Sequence, residues 1–325
     1  MTQLFFEVAT LQDNVDATWM AISPSGVVHV THPADNKIQK IEGGVVTDLI
    51  SSTHGNIDGP LSTALFFGPS GIVSDQAGNL YIADQGNHRI RKIDTEGNVT
   101  TVAGPSGRET PSGWVDDFTN RSLFSGPKAI AIDAMDRTLY VSEHNRIRSI
   151  PLGFVPGRTL MAVSTVAAVG IKGFADGPAT VAQFNDPWGL AVTQMGDLIV
   201  ADTHNHRIRR VTPSGMVTTI AGDGVPAVPT DAAQFADVPA MHARFERPLG
   251  VAVDQAGTVW VADGTHVRMY FPTTNMVSTA VSTHLEPIKF EHAFGIAVLQ
   301  GKIFVANGSK IMVLTMHEGH PGGPI

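Results

Sequence analysis

Short apolar runs alternate with turn residues along almost the whole chain, and residues 189–222 show this pattern most clearly. They read GLAVTQMGDLIVADTHNHRIRRVTPSGMVTTIAG, with apolar runs at 189–193, 197–201, 206–211 and 216–221. Clusters of Gly, Pro, Asn and Ser separate these runs. Short apolar and β-branched runs between such clusters are typical of antiparallel strands joined by tight turns. The stretch therefore predicts a four-stranded antiparallel sheet.

The same pattern recurs along the rest of the chain. Residues 71–104 (GIVSDQAGNLYIADQGNHRIRKIDTEGNVTTVAG) repeat it closely, and weaker copies begin near Trp19, Ala129, Gly250 and Gly295. Six copies of a four-stranded unit indicate an all-β chain folded as a six-bladed β-propeller. We expect a single propeller domain over residues 1–325, with blades at about 19–50, 71–104, 129–170, 189–222, 250–281 and 295–316.

The sixth copy contains only three predicted strands, which would leave a sheet edge open. The first residues of the chain form a further strand, QLFFEV at 3–8, that belongs to no copy. We expect this N-terminal strand to complete the last blade and to join the two ends of the chain. The Gly- and Pro-rich tail, 317–325, is expected to be loose.

The order of strands in such blades decides where the loops lie. The long connections between copies and the turns between second and third strands should share one face, which we call the long-loop face. Tight turns such as 213–215 should occupy the opposite face. Since binding residues are concentrated on loops, a functional site is expected on the long-loop face. The Phe that recurs near the end of each connection is predicted to pack between blades.

Composition narrows the classes of protein. Hydrophobic residues make up 42% and charged residues 16%, which suits a large β core, and the net charge of −8 argues against a phosphate-binding surface. The absence of cysteine excludes disulfides and thiolate metal sites. The N-terminus lacks the features of a signal peptide, and no stretch is long enough to span a bilayer. These features predict a soluble, cytoplasmic and monomeric protein without a membrane partner.

Two segments, 83–91 (ADQGNHRIR) and 201–209 (ADTHNHRIR), resemble the signature of NHL repeats, and 141–148 (VSEHNRIR) resembles a shortened version. The connection at 173–189 also resembles the linker of bacterial tandem NHL proteins. The first, fifth and sixth copies depart from the Asn-His-Arg core. The resemblance implies a six-bladed propeller but no single activity, because the family includes RNA-binding domains, protein-interaction domains, extracellular scaffolds and a few lyases.

Basic residues recur on the predicted third strands, and two interpretations compete. They are Arg89, Arg91, Lys92, Arg146, Arg148, Arg207, Arg209 and Arg210. They would form a phosphate-tracking surface if the chain resembled RNA-binding NHL domains in function. Alternatively, they form pairs within blades: Asp84 with Arg89, Glu143 with Arg146, and Asp202 with Arg207. The recurrence of an acid three to five residues before each of these arginines and the acidic pI of about 5.9 favour the pairs, so nucleic acid is not the expected partner.

Metal binding is a second alternative. His32, His144 and His204 fall in predicted second-to-third turns, and His292 lies at the end of a connection. Three imidazoles at the channel would suit Zn²⁺ with an open position, and the amidating-lyase branch of NHL propellers is similar in using a channel metal. These His residues do not recur at one register, however. For Ca²⁺, as in sugar-lactonase-type propellers, the candidate oxygen ligands are Asp16, Asp186, Glu246 and Glu291. No cofactor is predicted, with Zn²⁺ and Ca²⁺ as alternatives.

The residues that precede the innermost strands should surround the mouth of the channel. Most of this ring is apolar or cationic: Trp19, Lys128, Trp188, Leu249 and Phe294. Aromatic rings beside a cation would suit a small ligand or an inserted peptide loop, or the same rings would simply plug the channel. We therefore predict a scaffold that binds a protein or small molecule on the long-loop face, with no assigned catalytic residue. A metal-assisted lyase or hydrolase and an RNA-binding propeller are the alternatives.

Overall fold

The computed structural model describes residues 4–50, 53–105, 110–153, 161–168, 170–282, 284 and 286–318. Over these residues the chain forms six antiparallel sheets of four or five strands. Neighbouring innermost strands contact one another in a closed cycle that returns from the sixth sheet to the first. This arrangement confirms the predicted six-bladed β-propeller. No helix in the described part of the chain is long and apolar enough to cross a membrane.

The first three blades in chain order contain thirteen strands. They are β2 (Trp19–Ile22), β3 (Val28–His32), β4 (Lys37–Glu42) and β5 (Val45–Ile50) in blade 1; β6 (Gly59–Pro60), β7 (Pro69–Ser74), β8 (Leu80–Asp84), β9 (Arg89–Ile93) and β10 (Asn98–Ala103) in blade 2; and β11 (Ile130–Ile132), β12 (Thr138–Glu143), β13 (Arg146–Pro151) and β14 (Ser164–Ala167) in blade 3.

The other three blades contain fourteen strands. They are β15 (Gly177–Pro178), β16 (Leu190–Val192), β17 (Leu198–Asp202), β18 (Arg207–Val211) and β19 (Met216–Ala221) in blade 4; β20 (Val238–Pro239), β21 (Pro248–Val253), β22 (Val259–Asp263), β23 (His266–Phe271) and β24 (Met276–Thr279) in blade 5; and β25 (Ala293–Leu299), β26 (Lys302–Asn307), β27 (Lys310–Glu318) and β1 (Leu4–Asp13) in blade 6. Short 3₁₀ turns lie at Pro33–Asp35, Gln85–Asn87, Thr203–Asn205, Ala232–Phe235 and Ala240–His242.

The N-terminal strand closes the ring, as predicted. Strand β1 pairs antiparallel with β27, from Leu4 opposite Glu318 to Asp13 opposite Lys310. Phe6 is 1% exposed, and its ring meets the edge of Trp260 at a centroid distance of 5.6 Å. Strand β27 continues through Glu318, and the rest of the predicted loose tail, 319–325, lies outside the described residues.

Neighbouring blades approach so closely at the centre that glycine is needed there. A Cβ on Gly189 would lie 2.3 Å from the carbonyl oxygen of Leu249, and one on Gly250 would lie 2.2 Å from that of Phe294. Hydroxyl groups of the preceding blade also donate to the next innermost strand, as Thr203 Oγ1 does to Pro248 O at 2.7 Å. The centre of the ring is therefore packed backbone against backbone.

The recurring Phe of the connections is core, as predicted. Each of these side chains is at most 5% exposed: Phe66, Phe124, Phe184, Phe245 and Phe290. Guanidinium groups lie over four of the rings at 4.5 to 5.5 Å from the centroid. The connections are thus anchored to the blades by arginine as well as by burial.

The predicted pairing of acids with arginines is wrong by two residues. Asp84 pairs with Arg91 at 2.9 Å rather than with Arg89, although Arg89 stands directly opposite it in the strand register. The pair is fully buried. The guanidinium of Arg91 lies under the connection, where it also donates to Ile57 O and Leu65 O. Arg89 lies beside the turn, where its Nε donates to Asn87 O at 3.4 Å.

The same shift occurs in the next two blades. Glu143 pairs with Arg148 rather than with Arg146, and Asp202 pairs with Arg209 rather than with Arg207. The second carboxylate of each guanidinium comes from the connection, since Arg209 also meets Asp176 at 2.6 Å. These buried networks join the third strand of a blade to the connection that leads into that blade.

Candidate functional site

Second-to-third turns contact the connection to the next blade, so both lie on the long-loop face. Four residues of these turns adopt left-handed backbone conformations: Asn36, His88, His144 and His206. The ring Nδ1 of His88 accepts from Gly126 N at 3.0 Å, and Asn36 Oδ1 accepts from Gly68 N at 2.9 Å. His88 therefore links neighbouring blades.

Two of the predicted mouth residues meet across the ring. Trp19 belongs to blade 1 and Trp188 precedes the first long strand of blade 4, on the opposite side of the propeller. Their rings stack at a centroid distance of 6.5 Å with planes 17° apart. Trp19 is 8% exposed, whereas Trp188 is half-buried. The two indoles therefore bring blades 1 and 4 into contact across the centre of the ring.

A third predicted residue joins this pair. Lys128 Nζ lies 4.7 Å from the centre of the Trp188 ring and forms an ion pair with Asp186. Asp186 Oδ2 accepts from Trp188 Nε1 at 3.0 Å. Burial tends to raise the pKa of the Asp186 carboxyl, but the bonds from Lys128 and Trp188 outweigh burial and hold that pKa below its usual range. Asp186 is thus an ionised carboxylate at the mouth.

The sequence predicts Asp186 only as a possible calcium ligand, whereas the structure places it between Lys128 and Trp188. It has a left-handed φ of 55°, and the equivalent positions before Pro in blades 2 and 3 are Gly68 and Gly126, with φ of 60° and 61°. A side chain at a position suited to glycine costs backbone strain, which is often retained at functional sites. The replacement of Gly-Pro by Asp-Pro was visible in the sequence and could have identified this residue.

Two histidines flank the Lys128–Asp186 pair, and both are exposed. His204 Nδ1 lies 3.5 Å from Asp186 Oδ2, and His144 Nε2 lies 2.9 Å from Ser125 Oγ. Partial burial lowers the pKa of both rings, while the charge of Asp186 works in the opposite direction. Both imidazoles are therefore neutral near pH 7.

The other predicted residues of the mouth and of the metal site lie in different surroundings. Leu249 is 3% exposed, and Phe294 stacks on His292 at 6.5 Å. His32 is buried, and its Nδ1 is bonded to the carbonyl oxygen of Asp16 at 2.8 Å. In the residues that the structure describes, no three His, Asp or Glu side chains are grouped so that they could hold a metal ion. The described side chains therefore do not form a binding site for Zn²⁺ or Ca²⁺.

The first residue of the third strand stacks on an aromatic residue of the connection. Arg146 lies 5.3 Å from the Trp114 ring centre, and Arg207 lies 3.8 Å from that of Phe174. In blade 5 the equivalent pair is His266 on Phe235, with ring centroids 3.8 Å apart. Arg146 and Arg207 thus stack on aromatic rings instead of pairing with acids as predicted. Sequence reasoning missed it because the partners are more than thirty residues apart.

Some of these aromatic rings are exposed to solvent. Trp114 is 52% exposed, Phe67 is 47% exposed and Phe174 is 46% exposed, and all three belong to connections on the long-loop face. Arg146 and Arg207 stack on Trp114 and Phe174, and the ring of Phe67 packs against that of His54 at a centroid distance of 5.7 Å. In contrast, Arg91, Arg148 and Arg209 have fully buried side chains and cannot reach a phosphate backbone.

Comparisons with known proteins agree with this architecture. The family model for the NHL repeat matches residues 66–93 and 184–211. Human teneurin-4 is 28% identical over 292 residues, which cover 79% of this chain and 10% of the teneurin. Bovine NHL repeat-containing protein 2 is 31% identical over 129 residues, which cover 39% of this chain and 17% of that protein. The chain thus spans about a tenth of the length of the teneurin it matches.

Solved structures show the same fold at low sequence identity. A gluconolactonase from Xanthomonas campestris superposes with a TM-score of 0.62 at 14% identity, over 96% of this chain and 90% of the enzyme. An inactive virginiamycin B lyase from Staphylococcus aureus superposes with a TM-score of 0.59 at 16% identity, over 96% and 99% of the two chains. Likeness at this identity shows the fold alone. The chain is a six-bladed β-propeller that carries NHL repeats in its second and fourth blades.

Proposed function

We propose that this protein is a binding scaffold whose ligand surface is the long-loop face around the channel mouth, where Lys128, Trp188 and Phe294 are partly exposed and Trp19 and Leu249 are buried beneath. The observation that carries the proposal is the set of exposed aromatic rings on the connections, Phe67, Trp114 and Phe174. Aromatic residues are enriched at protein–protein interfaces, and Trp is among the residues that contribute most to affinity there. The preferred partner is therefore another protein.

The stacking contacts strengthen this proposal. Arg146 and Arg207 hold Trp114 and Phe174 in place before any partner arrives. A rigid aromatic ring loses little conformational entropy on binding, so more of its contact energy is available for affinity. The similarity to teneurins and to NHL repeat-containing protein 2 also favours a scaffold.

The experiment compares aromatic substitutions on the two faces. Wild-type protein, a Trp114→Ala/Phe174→Ala variant and a Met195→Ala variant are used to capture partners, and each partner is then purified and titrated by calorimetry. Met195 is 84% exposed in a tight turn of the opposite face and serves as the control. The double variant should lose about tenfold or more in affinity, whereas the control should bind as wild type. Equal affinity of all three proteins for every partner would contradict the proposal.

A second candidate is an enzyme, and one observation favours it: neutral His144 and His204 flank an ionised Asp186 at the mouth. Such groups can accept protons from a substrate. Elemental analysis tests the metal-assisted form of this candidate. Stoichiometric Zn or Ca that is lost in His144→Ala or His204→Ala would favour the enzyme over the scaffold.

A further inference from the structure

The centre of the long-loop face has a cation without a counter-ion. Lys128 is paired with Asp186, but no carboxylate of the described residues forms an ion pair with Arg247. Arg247 is exposed, and its guanidinium lies 6.0 Å from the centre of the Trp188 ring. The whole chain has a net charge of −8, so most of its surface repels anions, whereas the positive charge of Arg247 attracts them to the mouth.

A second donor at the same place lacks an acceptor. Trp19 is 8% exposed, and its Nε1 is buried with no hydrogen-bond partner among the described residues. Buried N–H groups are nearly always hydrogen-bonded in folded proteins. Trp19 stacks on the Trp188 ring, and the Arg247 guanidinium lies near the same ring. The two donors are therefore on residues that both neighbour Trp188. The buried Trp19 N–H lacks an acceptor among the described residues, and the exposed Arg247 guanidinium has no carboxylate partner there.

The surroundings of these donors restrict the kind of anion. Trp188 is half-buried, with Trp19 stacked on its ring and the cations of Lys128 and Arg247 at 4.7 and 6.0 Å from its centre, so an apolar group reaches only the exposed part of the indole, beside Arg247. Asp186 neutralises Lys128, and Arg247 is the second cation beside the Trp188 ring. One guanidinium matches one carboxylate in geometry and charge, whereas a doubly charged phosphate would remain half-neutralised.

We propose that the channel mouth binds a carboxylate attached to a flat apolar group, with Arg247 as its ion-pair partner and the exposed part of Trp188 as its apolar contact. This inference rests on the proposed scaffold function, because it names the chemical class that the centre of the long-loop face accepts. A free aromatic acid and the C-terminal carboxylate of a partner peptide present the same chemistry. Benzoate represents the first source, and acetyl-Gly-Phe with a free C-terminus represents the second.

The test follows the indole signals of the full chain labelled with ¹⁵N at its four tryptophans. Benzoate or acetyl-Gly-Phe should shift the Trp19 and Trp188 signals to saturation, and the tighter ligand identifies the source. Trp260 is an internal control, because its Nε1 already donates to Asp254 at 2.9 Å in blade 5. Neutral benzamide should bind at least about tenfold more weakly than benzoate, since it lacks the charge that Arg247 recognises.

Arg247→Gln should weaken benzoate binding by about tenfold or more, and Arg137→Gln should leave it unchanged. Arg137 has a 70% exposed side chain in a tight turn of the opposite face, so it controls for the same change in charge. Equal binding of benzamide, or unchanged binding by Arg247→Gln, would overturn the proposal. Inorganic phosphate that binds as tightly as benzoate would also overturn it, in favour of a general anion site.

Trp114→Ala separates this inference from the scaffold function. The variant should bind benzoate like wild type, because Trp114 contacts Arg146 and His144 rather than Arg247. Benzoate binding together with unaltered partner capture by the Trp114→Ala/Phe174→Ala variant would support the anion site and contradict the scaffold. The reverse pattern, with no benzoate shift and lost partner capture, would contradict the anion site alone.

Discussion

Arg209 and Asp202 form an ion pair that is closed to solvent, with Nη1 at 2.6 Å from Oδ2 and both side chains fully buried. The other end of the same guanidinium lies 2.6 Å from Asp176, in the connection that leads into the blade. Asp84 with Arg91 and Glu143 with Arg148 repeat this arrangement. Blades 2, 3 and 4 are therefore each joined to the preceding connection by a charge network with a buried guanidinium. These networks hold the connections of the long-loop face in place.

Removal of Arg209 should be far more damaging than removal of its neighbour. Arg209→Met leaves Asp202 buried without its cation, which is expected to lower the free energy of unfolding by about 3–5 kcal/mol. Arg210→Met is the matched control, because Arg210 is 46% exposed and its bond to Asp197 is a surface ion pair worth about 0–1 kcal/mol. Urea unfolding of both variants measures the difference. Similar losses in the two variants would show that the buried network is unimportant.

Closure of the ring by β1 predicts a large effect at its buried face. Phe6→Ala removes a ring that is 1% exposed and packed against Trp260, so the free energy of unfolding should fall by about 3–5 kcal/mol. Glu7→Ala changes the adjacent, exposed residue and should alter stability by less than about 1 kcal/mol. Thermal and urea unfolding provide the measurement. If Phe6→Ala unfolded like wild type, the N-terminal strand would not be the element that locks the propeller.

Acid should destabilise the protein partly through His29. Burial lowers the pKa of His29 from 6.5 to about 4, so between these values the unfolded chain binds more protons than the folded chain. Stability conferred by the neutral ring is therefore complete above pH 6.5 and is lost as the pH falls towards 4. His29→Gln lacks this titration, and its loss of stability between pH 7 and pH 5 should be smaller than that of wild type by about 2 kcal/mol.

Two buried carboxyls also titrate in this pH range, so the effect of His29 has to be measured as the difference between wild type and His29→Gln. Burial raises the pKa of Asp84 and of Asp263 to about 6, which contributes stability below pH 3.8 that is lost as the pH rises through 6. This effect has the opposite sign to that of His29, but it is the same in wild type and in His29→Gln. Urea titrations at both pH values measure the difference, and parallel losses in the two proteins would contradict the assignment to His29.

Asp186 should control the titration of the histidines at the mouth. Asp186→Gly restores the residue type found at positions 68 and 126, and it removes the negative charge that raises the pKa of His144 and His204. Both pKa values should therefore fall further below 6.5 in the variant. NMR titration of the imidazole signals measures this shift. The pKa of His88 is lowered by burial and by the charges of Arg89 and His144, with no contribution from Asp186, so it should move less and serves as the internal control.

Local patterns in the sequence determined the architecture. Strand-length apolar runs and the turn residues between them predicted the sheets, and the fixed spacing of the copies predicted six blades. The missing strand of the last copy predicted its replacement by the N-terminus, which β1 confirms. These features could be read from the chain because each depends on residues close together in sequence, or on a count of such units.

The tertiary structure decided which side chains meet. Register alone placed Asp84 opposite Arg89, but the buried connection selected Arg91 as its partner. The sequence offered His32 as a metal candidate, whereas the fold buries it and bonds its ring Nδ1 to the carbonyl oxygen of Asp16. The stack of Trp19 on Trp188 joins residues from opposite sides of the ring. The sequence determined the blades because strands form from local patterns, but contacts between blades depend on the closed ring and appear only in three dimensions.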